Sequence, residues 1–504
     1  MPQVFIDLLN KMNSRPSHIS PSVYDTGWLA WLYPEAKDWL IETQRPDGSW
    51  GSDLVYYHDR VIATLSAINA IAATSNNKHE LERVERGIRY IEQALPRVCE
   101  DVEETTAFEL LLPQLVQIGR GLGLPLENIE RLMAPIMPIY HQKMALIPTE
   151  LIYSPHAVVA YSIEFMGFKN LNKAATPHLR AENGSIHNSP SATAFIEIAT
   201  QGSPQGREYL DTLMLKYDGA VPGFTPLELF ETIWTLHHFS LVTDLQTLRP
   251  TINPMINWLL ECWQPAGVGF SYGFVPDPDD TALALRLLHR LGISVNPRVL
   301  EFYEEEDHFR CYPLERTTSV DVHLHIIHAL QELAGFPRKA ELMTKALTIL
   351  NQTLKSVSIV DKWHVSPYYS TAHAIISLAG FRDDLIQNQI RWLLNTQRED
   401  GRWTHYPAHP KAAIEETAHV LLALMTVYEA NGSVSFQTIE RGYRYLEKHY
   451  RCPEEIPAMW VNKGLYNPYH IVEAIILSVR EKYRILDKGY KLPLRQQEMA
   501  SIAL

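Results

Sequence analysis

A helical spacing of apolar residues runs through most of the sequence and constrains the fold more than any other feature. Segments such as HELERVERGIRYIEQAL, DTALALRLLHRLG and FQTIERGYRYLEKHY place apolar residues at positions i, i+3, i+4 and i+7. This is the pattern of an amphipathic helix. Strand-like alternation is scarce, and loops rich in Gly, Pro, Asn and Asp separate the helical segments. The sequence therefore predicts an all-α protein.

A short motif recurs between helical segments in distant parts of the chain. QRPDGSWG at residues 44–51 returns as QREDGRW at residues 397–403, with looser echoes at residues 264–270 and 182–186. Asp-Gly favours a tight turn, Gln can hydrogen-bond a helix end, and the aromatic ring can pack into the next helix. Such repeats predict stacked helical hairpins closed into α/α-barrels, and we interpret the motif as structural rather than catalytic.

Composition and charge argue against several classes of function. The chain has 504 residues, of which 46% are hydrophobic and 20% charged, so we expect a globular protein with large cores. A net charge of −13 argues against a nucleic-acid partner. The four cysteines show no CxxC spacing, which favours a reducing compartment and argues against a zinc site. We find no signal peptide and no apolar run of membrane-spanning length, so we expect a cytoplasmic protein without an integral membrane segment.

Three acids crowd the start of one apolar helical segment. Asp277, Asp279 and Asp280 stand within four positions in GFVPDPDDTALALRLL. A single Asp suffices as a helix cap, whereas three neighbouring carboxylates repel one another. The run lacks the ligand spacing of an EF-hand loop. Taken alone, this stretch leaves a structural cap with solvated acids as open as a functional acid cluster.

Five segments together resemble one family. QRPDGSWG and QREDGRW resemble the QW motifs of terpene cyclases, and DPDDTA resembles the DxDDTA motif of class II cyclases. SVYDTGWLA at residues 22–30 is similar to the SAYDTAW segment of class II diterpene cyclases. AMWVNKGLY at 458–466 and DKWHVSPYYSTAH at 361–373 resemble the C-terminal signatures of that family. The resemblance extends from about residue 20 to about residue 475.

The resemblance implies two α/α-barrel domains, called β and γ, with the active site between them. Residues 1–33 and 237–504 would form the β domain, and residues 34–236 would form an inserted γ domain. The DDxxD and NSE-type motifs of a class I domain, which ionises the diphosphate, are absent from the sequence. The product should therefore keep its diphosphate group.

The same resemblance assigns roles to the acids. Class II cyclases protonate a carbon–carbon double bond, and the middle residue, Asp279, would deliver the proton. Asp277 and Asp280 would orient Asp279 and tune its acidity, because burial and neighbouring carboxylates favour the protonated form.

Aromatic side chains can stabilise a carbocation through cation–π attraction without quenching it. Trp234 matches a family position that lines the cavity. Tyr272, Trp363, Tyr368 and Tyr369 are further candidates. Most aromatic residues in a helical barrel belong to its core, which is the alternative for each unmatched residue.

The far end of the substrate carries a diphosphate group. Lys143 and Lys463 match family lysines, and we expect them to bind this group. Glu109 matches a glutamate linked to Mg²⁺ in the γ domain, so the resemblance implies Mg²⁺ as a cofactor. The alternative for either lysine is a solvated surface residue.

Two positions depart from the copalyl-type pattern. Those enzymes hold the water that removes the final proton with a His and an Asn, where this chain has Tyr161 and Gly223. Tyr is a poor base at neutral pH, and Gly has no side chain. Without a nearby base, the first bicyclic cation would undergo hydride and methyl shifts before it loses a proton.

We therefore expect a class II diterpene cyclase that converts geranylgeranyl diphosphate to a rearranged bicyclic diphosphate of the kolavenyl (clerodane) or halimadienyl type. A copalyl diphosphate synthase and a drimenyl diphosphate synthase acting on farnesyl diphosphate stay open. A non-catalytic α/α-toroid binding scaffold is the rival from another class. A protein prenyltransferase subunit would need a zinc-binding set of Asp, Cys and His, and no Cys here stands in such a context. A triterpene cyclase would usually be longer and richer in QW motifs. A downstream class I terpene synthase or phosphatase would use the product, and a homodimer is compatible with the sequence.

Overall fold

The computed structural model describes residues 3–200 and 202–489, and this part of the chain is mainly helical. The helices of the N-terminal half are α1 Gln3–Ser14, α2 Val23–Leu29, α3 Pro34–Thr43, α4 Tyr57–Thr74, α5 Lys78–Ala94, α6 Phe108–Gly121, α7 Glu127–Leu132, α8 Met137–Leu146, α9 Thr149–Ile152, α10 Gly167–Asn170, α11 Pro190–Thr200 and α12 Pro204–Lys216. Short 3₁₀ segments lie at Leu95–Glu100, Val158–Met166 and Thr176–Leu179.

The C-terminal half of the chain is also mainly helical. Its helices are α13 Glu228–Ser240, α14 Arg249–Glu261, α15 Pro278–Arg290, α16 Val320–Glu332, α17 Lys339–Thr353, α18 Pro367–Leu378, α19 Gln387–Thr396, α20 Ala412–Asn431, α21 Phe436–His449 and α22 Tyr469–Asp487. Further 3₁₀ segments lie at Leu245–Leu248, Pro297–Tyr303 and Pro453–Glu455. Strands β1 Trp460–Val461 and β2 Leu465–Tyr466 form an antiparallel hairpin. The predicted all-α class is confirmed.

The apolar residues form two large cores. One core joins α1 to the helices from α13 onward, and the other contains α2 through α12. The chain passes from the first core to the second between Ile19 and Tyr24, and it returns between Val221 and Phe224. These crossings differ from the predicted boundaries at residues 33/34 and 236/237, because α2 packs with the inserted segment and α13 packs with the C-terminal helices. The assignment of the two cores to β and γ domains stays a prediction.

The repeated QxxDGxW motif has the same geometry in both cores. Gln44 donates to the carbonyls of Gly48 and Arg83 at 2.9 Å each. Gln397 donates to the carbonyls of Gly401 and Thr438 at 3.0 Å each. The indole N–H groups of the two motif tryptophans donate to carbonyls of the preceding helices, Trp50 to Leu40 and Trp403 to Leu393. Each motif thus ties a helix end to its neighbours, which confirms its structural role.

Contacts from both cores meet at the β-hairpin. Leu54 and Tyr56 pack with Val365, Met459 and Leu465 in a small apolar cluster between the cores. The hairpin thus lies where the two halves of the chain meet. Among the described residues, no helix is long and apolar enough to cross a membrane.

Candidate active site

The predicted acid cluster forms the start of α15. Asp277 is the N-cap residue, and its carboxylate accepts a 2.9 Å hydrogen bond from the backbone N–H of Asp280. Pro278 occupies the first helical turn, where its missing N–H carries no cost. This cap fixes Asp279 and Asp280 in the first turn, so the three carboxyl groups are held on a rigid helix end.

Burial favours the protonated form of two of the three acids. Asp277 and Asp280 are buried, and burial raises the pKa of Asp277 to about 7. Burial, reinforced by the neighbouring Asp277 and Asp279, raises the pKa of Asp280 well above its ordinary value. The indole N–H of Trp234 donates a 3.0 Å hydrogen bond to Asp280, and the hydroxyl of Tyr312 lies 3.4 Å from Asp277. The cluster therefore retains protons at neutral pH, where a solvated aspartate would be ionised.

All three acids line the cavity, and Asp279 is the most exposed of them. Its side chain is 16% exposed, whereas Asp277 and Asp280 are 7% and 3% exposed as whole residues. Its carboxylate contacts Nδ1 of His325, a side chain that is fully buried on α16. A 3.0 Å hydrogen bond then joins Nε2 of His325 to Nδ1 of His373 on α18. An acid with its second oxygen free thus faces the cavity, and a pair of imidazoles holds it in place.

The cavity below Asp279 is an apolar, aromatic pocket. It encloses about 870 Å³ including its open mouth. The sequence-predicted residues Tyr161, Trp234, Trp363 and Tyr369 line it. The other lining aromatic residues are Phe224, Phe230, Phe270, Phe274, Tyr312, Trp460 and Tyr466. Such walls exclude water and stabilise positive charge through their π faces.

A second, more polar opening continues from this cavity. Thr106, Val158, Tyr161, Tyr312 and Trp363 line both spaces. The outer space also contains three basic side chains, each facing an acid: Lys143, Arg316 and Lys362. The site therefore has an apolar end that contains the acid cluster, and a charged mouth.

Comparison with known proteins places this arrangement in a family. Residues 313–465 match the squalene-hopene cyclase C-terminal domain. The chain is 30% identical over 493 residues to a type B diterpene cyclase of Mycobacterium tuberculosis, covering 94% of this chain and 96% of that protein. The chain belongs to the class II diterpene cyclases. An ent-copalyl diphosphate synthase of a Streptomyces species (strain KO-3988) is 28% identical, with 94% of each chain covered.

A solved structure supports the fold of this cyclase. The ent-copalyl diphosphate synthase of Streptomyces platensis superposes with a TM-score of 0.75 at 24% identity and covers 96% of this chain. The two-barrel architecture of class II terpene cyclases is therefore confirmed. Family membership favours an enzyme over a binding scaffold and decides against a protein prenyltransferase.

The structure of the cyclase places two predicted aromatic residues away from the cavity. Tyr272 is 46% exposed and packs beside Trp258, with ring centroids 5.6 Å apart. Tyr368 stacks on Trp392 between α18 and α19, with centroids 4.6 Å apart. Consecutive helical residues point about 100° apart, so Tyr369 faces the cavity and its neighbour Tyr368 does not.

Lys463 lies in a buried ion pair rather than at the mouth. Its ammonium group donates to Glu164 at 2.7 Å, to Ser189 at 2.9 Å and to Ser191 at 2.8 Å. The lysine side chain is 0% exposed and that of Glu164 is 1% exposed. Its three donor hydrogens are thus used within the protein, which leaves none for a diphosphate.

The residues around Glu109 do not form a set of donors suited to Mg²⁺. Glu109 contacts Lys143 and lies 3.9 Å from Arg316, and Glu104 contacts Arg316 and lies 3.8 Å from Lys143. Each carboxylate is therefore already neutralised by a cation. Within the described ranges, no group of three or more His, Cys, Asp or Glu could hold a metal ion. The expected Mg²⁺ site is not supported, and protonation drives the reaction of this family.

Several site residues were missed at the sequence level. His325 and His373 support Asp279, and Asp321 lies one turn before His325 on α16 and lines the cavity. Burial, with the nearby Asp361 and Asp279, raises the pKa of Asp321 well above its ordinary value. The spacing of Asp321 and His325, four residues apart on a helix, was a usable signal because it places them on one face.

Proposed function

We propose that this cyclase protonates and cyclises geranylgeranyl diphosphate to a bicyclic diterpenyl diphosphate and keeps the diphosphate group. The observation that carries the proposal is the carboxyl group of Asp279, held by His325 at the top of an apolar aromatic cavity. The names of the relatives, diterpene cyclase and copalyl diphosphate synthase, favour a C20 substrate.

The reaction begins when Asp279 gives its proton to the terminal double bond of the folded chain. The Asp279 O–H bond breaks, the π electrons form a new C–H bond, and the resulting cation is attacked by the next double bond. The raised pKa values of Asp277 and Asp280 limit the negative charge beside Asp279. The aromatic walls stabilise each cation and exclude water.

The diphosphate lies at the charged mouth in this proposal. Lys143, Arg316 and Lys362 supply positive charge there, and ammonium and guanidinium groups form strong charge-assisted bonds to phosphate oxygens. The acids beside them, Glu104, Glu109 and Glu315, hold the cations in position until the substrate arrives. With the diphosphate at the mouth, the isoprenoid tail extends past Tyr312 and Trp363 toward Asp279.

The rearranged skeleton follows from the cavity wall near Tyr161 and Gly223. Burial raises the pKa of the Tyr161 hydroxyl well above its ordinary value, so this group is a poor base. Gly223 contributes no side chain to hold a water. The first bicyclic cation therefore persists through 1,2-shifts, which need no external group, and the product is of the clerodane or halimadane type.

The proposal also includes the location of the enzyme and the enzymes that use its product. It works in the cytoplasm, alone or as a homodimer, and a class I terpene synthase or a phosphatase removes the diphosphate from its product. The cyclase would act before these enzymes, because a class II reaction leaves the phosphate ester intact.

Incubation with geranylgeranyl and farnesyl diphosphate in parallel, followed by phosphatase treatment and mass spectrometry, tests the proposal. We expect a bicyclic, rearranged C20 alcohol from the native enzyme and unchanged acyclic alcohol from Asp279→Asn. An overwhelmingly unrearranged product would contradict the argument from Tyr161 and Gly223. Cyclisation of farnesyl diphosphate in preference to the C20 substrate would contradict the proposed chain length.

A further inference from the structure

One polar pair interrupts the apolar wall of the cavity. The hydroxyl of Tyr161 donates a 2.8 Å hydrogen bond to Oδ1 of Asn462 and lies 3.2 Å from the carbonyl oxygen of Gly223. Both side chains line the cavity, and the ring of Phe274 packs edge-on against Tyr161. Asn462 directly follows strand β1, so the hairpin between the two cores carries it to this position.

The amide of Asn462 fills the space beside Gly223. A Cβ atom placed on Gly223 would lie 2.9 Å from Nδ2 of Asn462 and 3.4 Å from Oδ2 of Asp25. The first distance is closer than real Cβ contacts, so a side chain at position 223 would require the Asn462 amide to move. A copalyl-type Asn introduced by Gly223→Asn would therefore have to displace this amide.

Packing and hydrogen bonding do not fully account for this amide. Asn462 is 8% exposed, and its Nδ2 group has no hydrogen-bond partner among the described residues. A buried donor without a partner lowers stability, and an apolar residue of the same size would avoid that cost. The Tyr161 hydroxyl thus accounts for the oxygen of this amide, whereas stability does not account for its unpartnered nitrogen beside Gly223.

We propose that Asn462 determines product specificity by filling the place where a water would otherwise remove the proton early. This inference rests on the proposed cyclisation. The space beside Gly223 is bordered by the Gly223 carbonyl, the Tyr161 hydroxyl and the Asp25 carboxylate, which together offer the two to four partners that a buried water needs. Asn462 excludes that water and engages the hydroxyl hydrogen of Tyr161.

Removal of the amide opens a competing reaction of the first bicyclic cation. A water in the vacated space takes a proton from the carbon next to the cationic carbon. That C–H bond breaks, its electron pair forms the new double bond, and the proton passes through the water to the carboxylate of Asp25. The result is an unrearranged bicyclic diphosphate, with the diphosphate group unchanged.

Asn462→Ala with geranylgeranyl diphosphate tests this inference, with the ratio of unrearranged to rearranged alcohol measured after phosphatase treatment. We expect the ratio to rise about tenfold, while Asn462→Leu, which refills the space without an amide, keeps the native ratio. Asn462→Ser, which leaves a smaller void, serves if the Ala variant unfolds, and it should shift the ratio in the same direction.

Tyr209→Phe is the control for the loss of a buried hydrogen bond away from the cavity. Tyr209 donates a 2.8 Å hydrogen bond to the carbonyl of Thr225 but does not line the cavity, so its loss should leave the ratio unchanged. An unchanged ratio in both the Ala and Ser variants would overturn the role of Asn462. Recovery of acyclic alcohol alone from the native enzyme would instead overturn the proposed function, and this inference with it.

Discussion

The carboxyl group of Asp279 on α15 and the imidazole of His325 on α16 are in direct hydrogen-bonding contact at the top of the cavity. The histidine is fully buried, and its other nitrogen is bonded to His373. Both ring nitrogens of His325 therefore have partners, which fix the orientation of the ring. This arrangement holds one oxygen of Asp279 and leaves the other free for the substrate.

Replacing His325 should impair proton transfer more than substrate binding. We expect His325→Ala to lower kcat by about 100-fold or more with a small change in KM, because Asp279 loses the partner that orients its proton. Steady-state kinetics over a range of pH measure this, and a shifted pH profile distinguishes positioning from simple loss of packing. His289→Ala, at the exposed end of α15, is the control. An equal loss in kcat from both variants would contradict the account.

The raised pKa of Asp277 should make stability depend on pH. Its folded-state value is about 7 against an ordinary value of 3.8, so the folded protein binds the proton more tightly than the unfolded chain. This stabilisation is complete below about pH 4 and is lost as pH rises to about 7, by an amount on the order of 4 kcal/mol. Asp277→Asn keeps a cap residue and should show a flatter profile of unfolding free energy between pH 4 and 8. If the unfolding free energies of the native protein and of Asp277→Asn change with pH in the same way, the raised pKa of Asp277 is contradicted.

The acid cluster was predictable because its signal is local. Asp277, Asp279 and Asp280 lie within four positions, and a cap followed by an apolar helix fixes where they lie. The direction of Tyr272 and Tyr368 was not predictable from their positions in a motif, because each step of one residue along a helix turns the side chain by about 100°. The pairing of His325 with Asp279 joins residues 46 positions apart, and it required the packing of α15 on α16.

The partners of the charged residue Lys463 were likewise not predictable from its motif. Its partners, Glu164, Ser189 and Ser191, come from segments almost 300 residues earlier in the chain. A lysine in a matched motif was therefore interpreted as a group for the diphosphate, although the fold surrounds it with partners of its own. Lys143, in contrast, lies at the mouth where the sequence predicted a binding group.

Lys463→Ala should destabilise the fold rather than weaken substrate binding. It leaves the carboxylate of Glu164 buried without its cation, and we expect a loss of about 3–5 kcal/mol in unfolding free energy. The double variant Lys463→Met with Glu164→Gln removes both charges and should recover much of that loss. Chemical denaturation measures both.

The control for this prediction is Lys411→Ala, which breaks an exposed ion pair with Glu455 and should cost less than about 1 kcal/mol. A raised KM at native stability in Lys463→Ala would show instead that the lysine binds the diphosphate.

Removal of divalent metal should leave most of the activity. Lys143 and Arg316 already neutralise the nearby carboxylates, so excess EDTA should lower the cyclisation rate by less than about threefold. The same assay with EDTA saturated by Mg²⁺ is the control. A loss of about 100-fold that Mg²⁺ restores would show that the metal supplies the charge at the mouth.

The most direct measurement is cyclisation of geranylgeranyl diphosphate in D₂O, with the product hydrolysed and analysed by mass spectrometry. Asp279 exchanges its proton with solvent between turnovers, so the native enzyme should place one deuterium on each bicyclic molecule, at the carbon that was the terminal alkene. Asp279→Asn should give no bicyclic product, although circular dichroism shows a folded protein. A bicyclic product without deuterium, or near-native turnover by Asp279→Asn, would contradict protonation by Asp279.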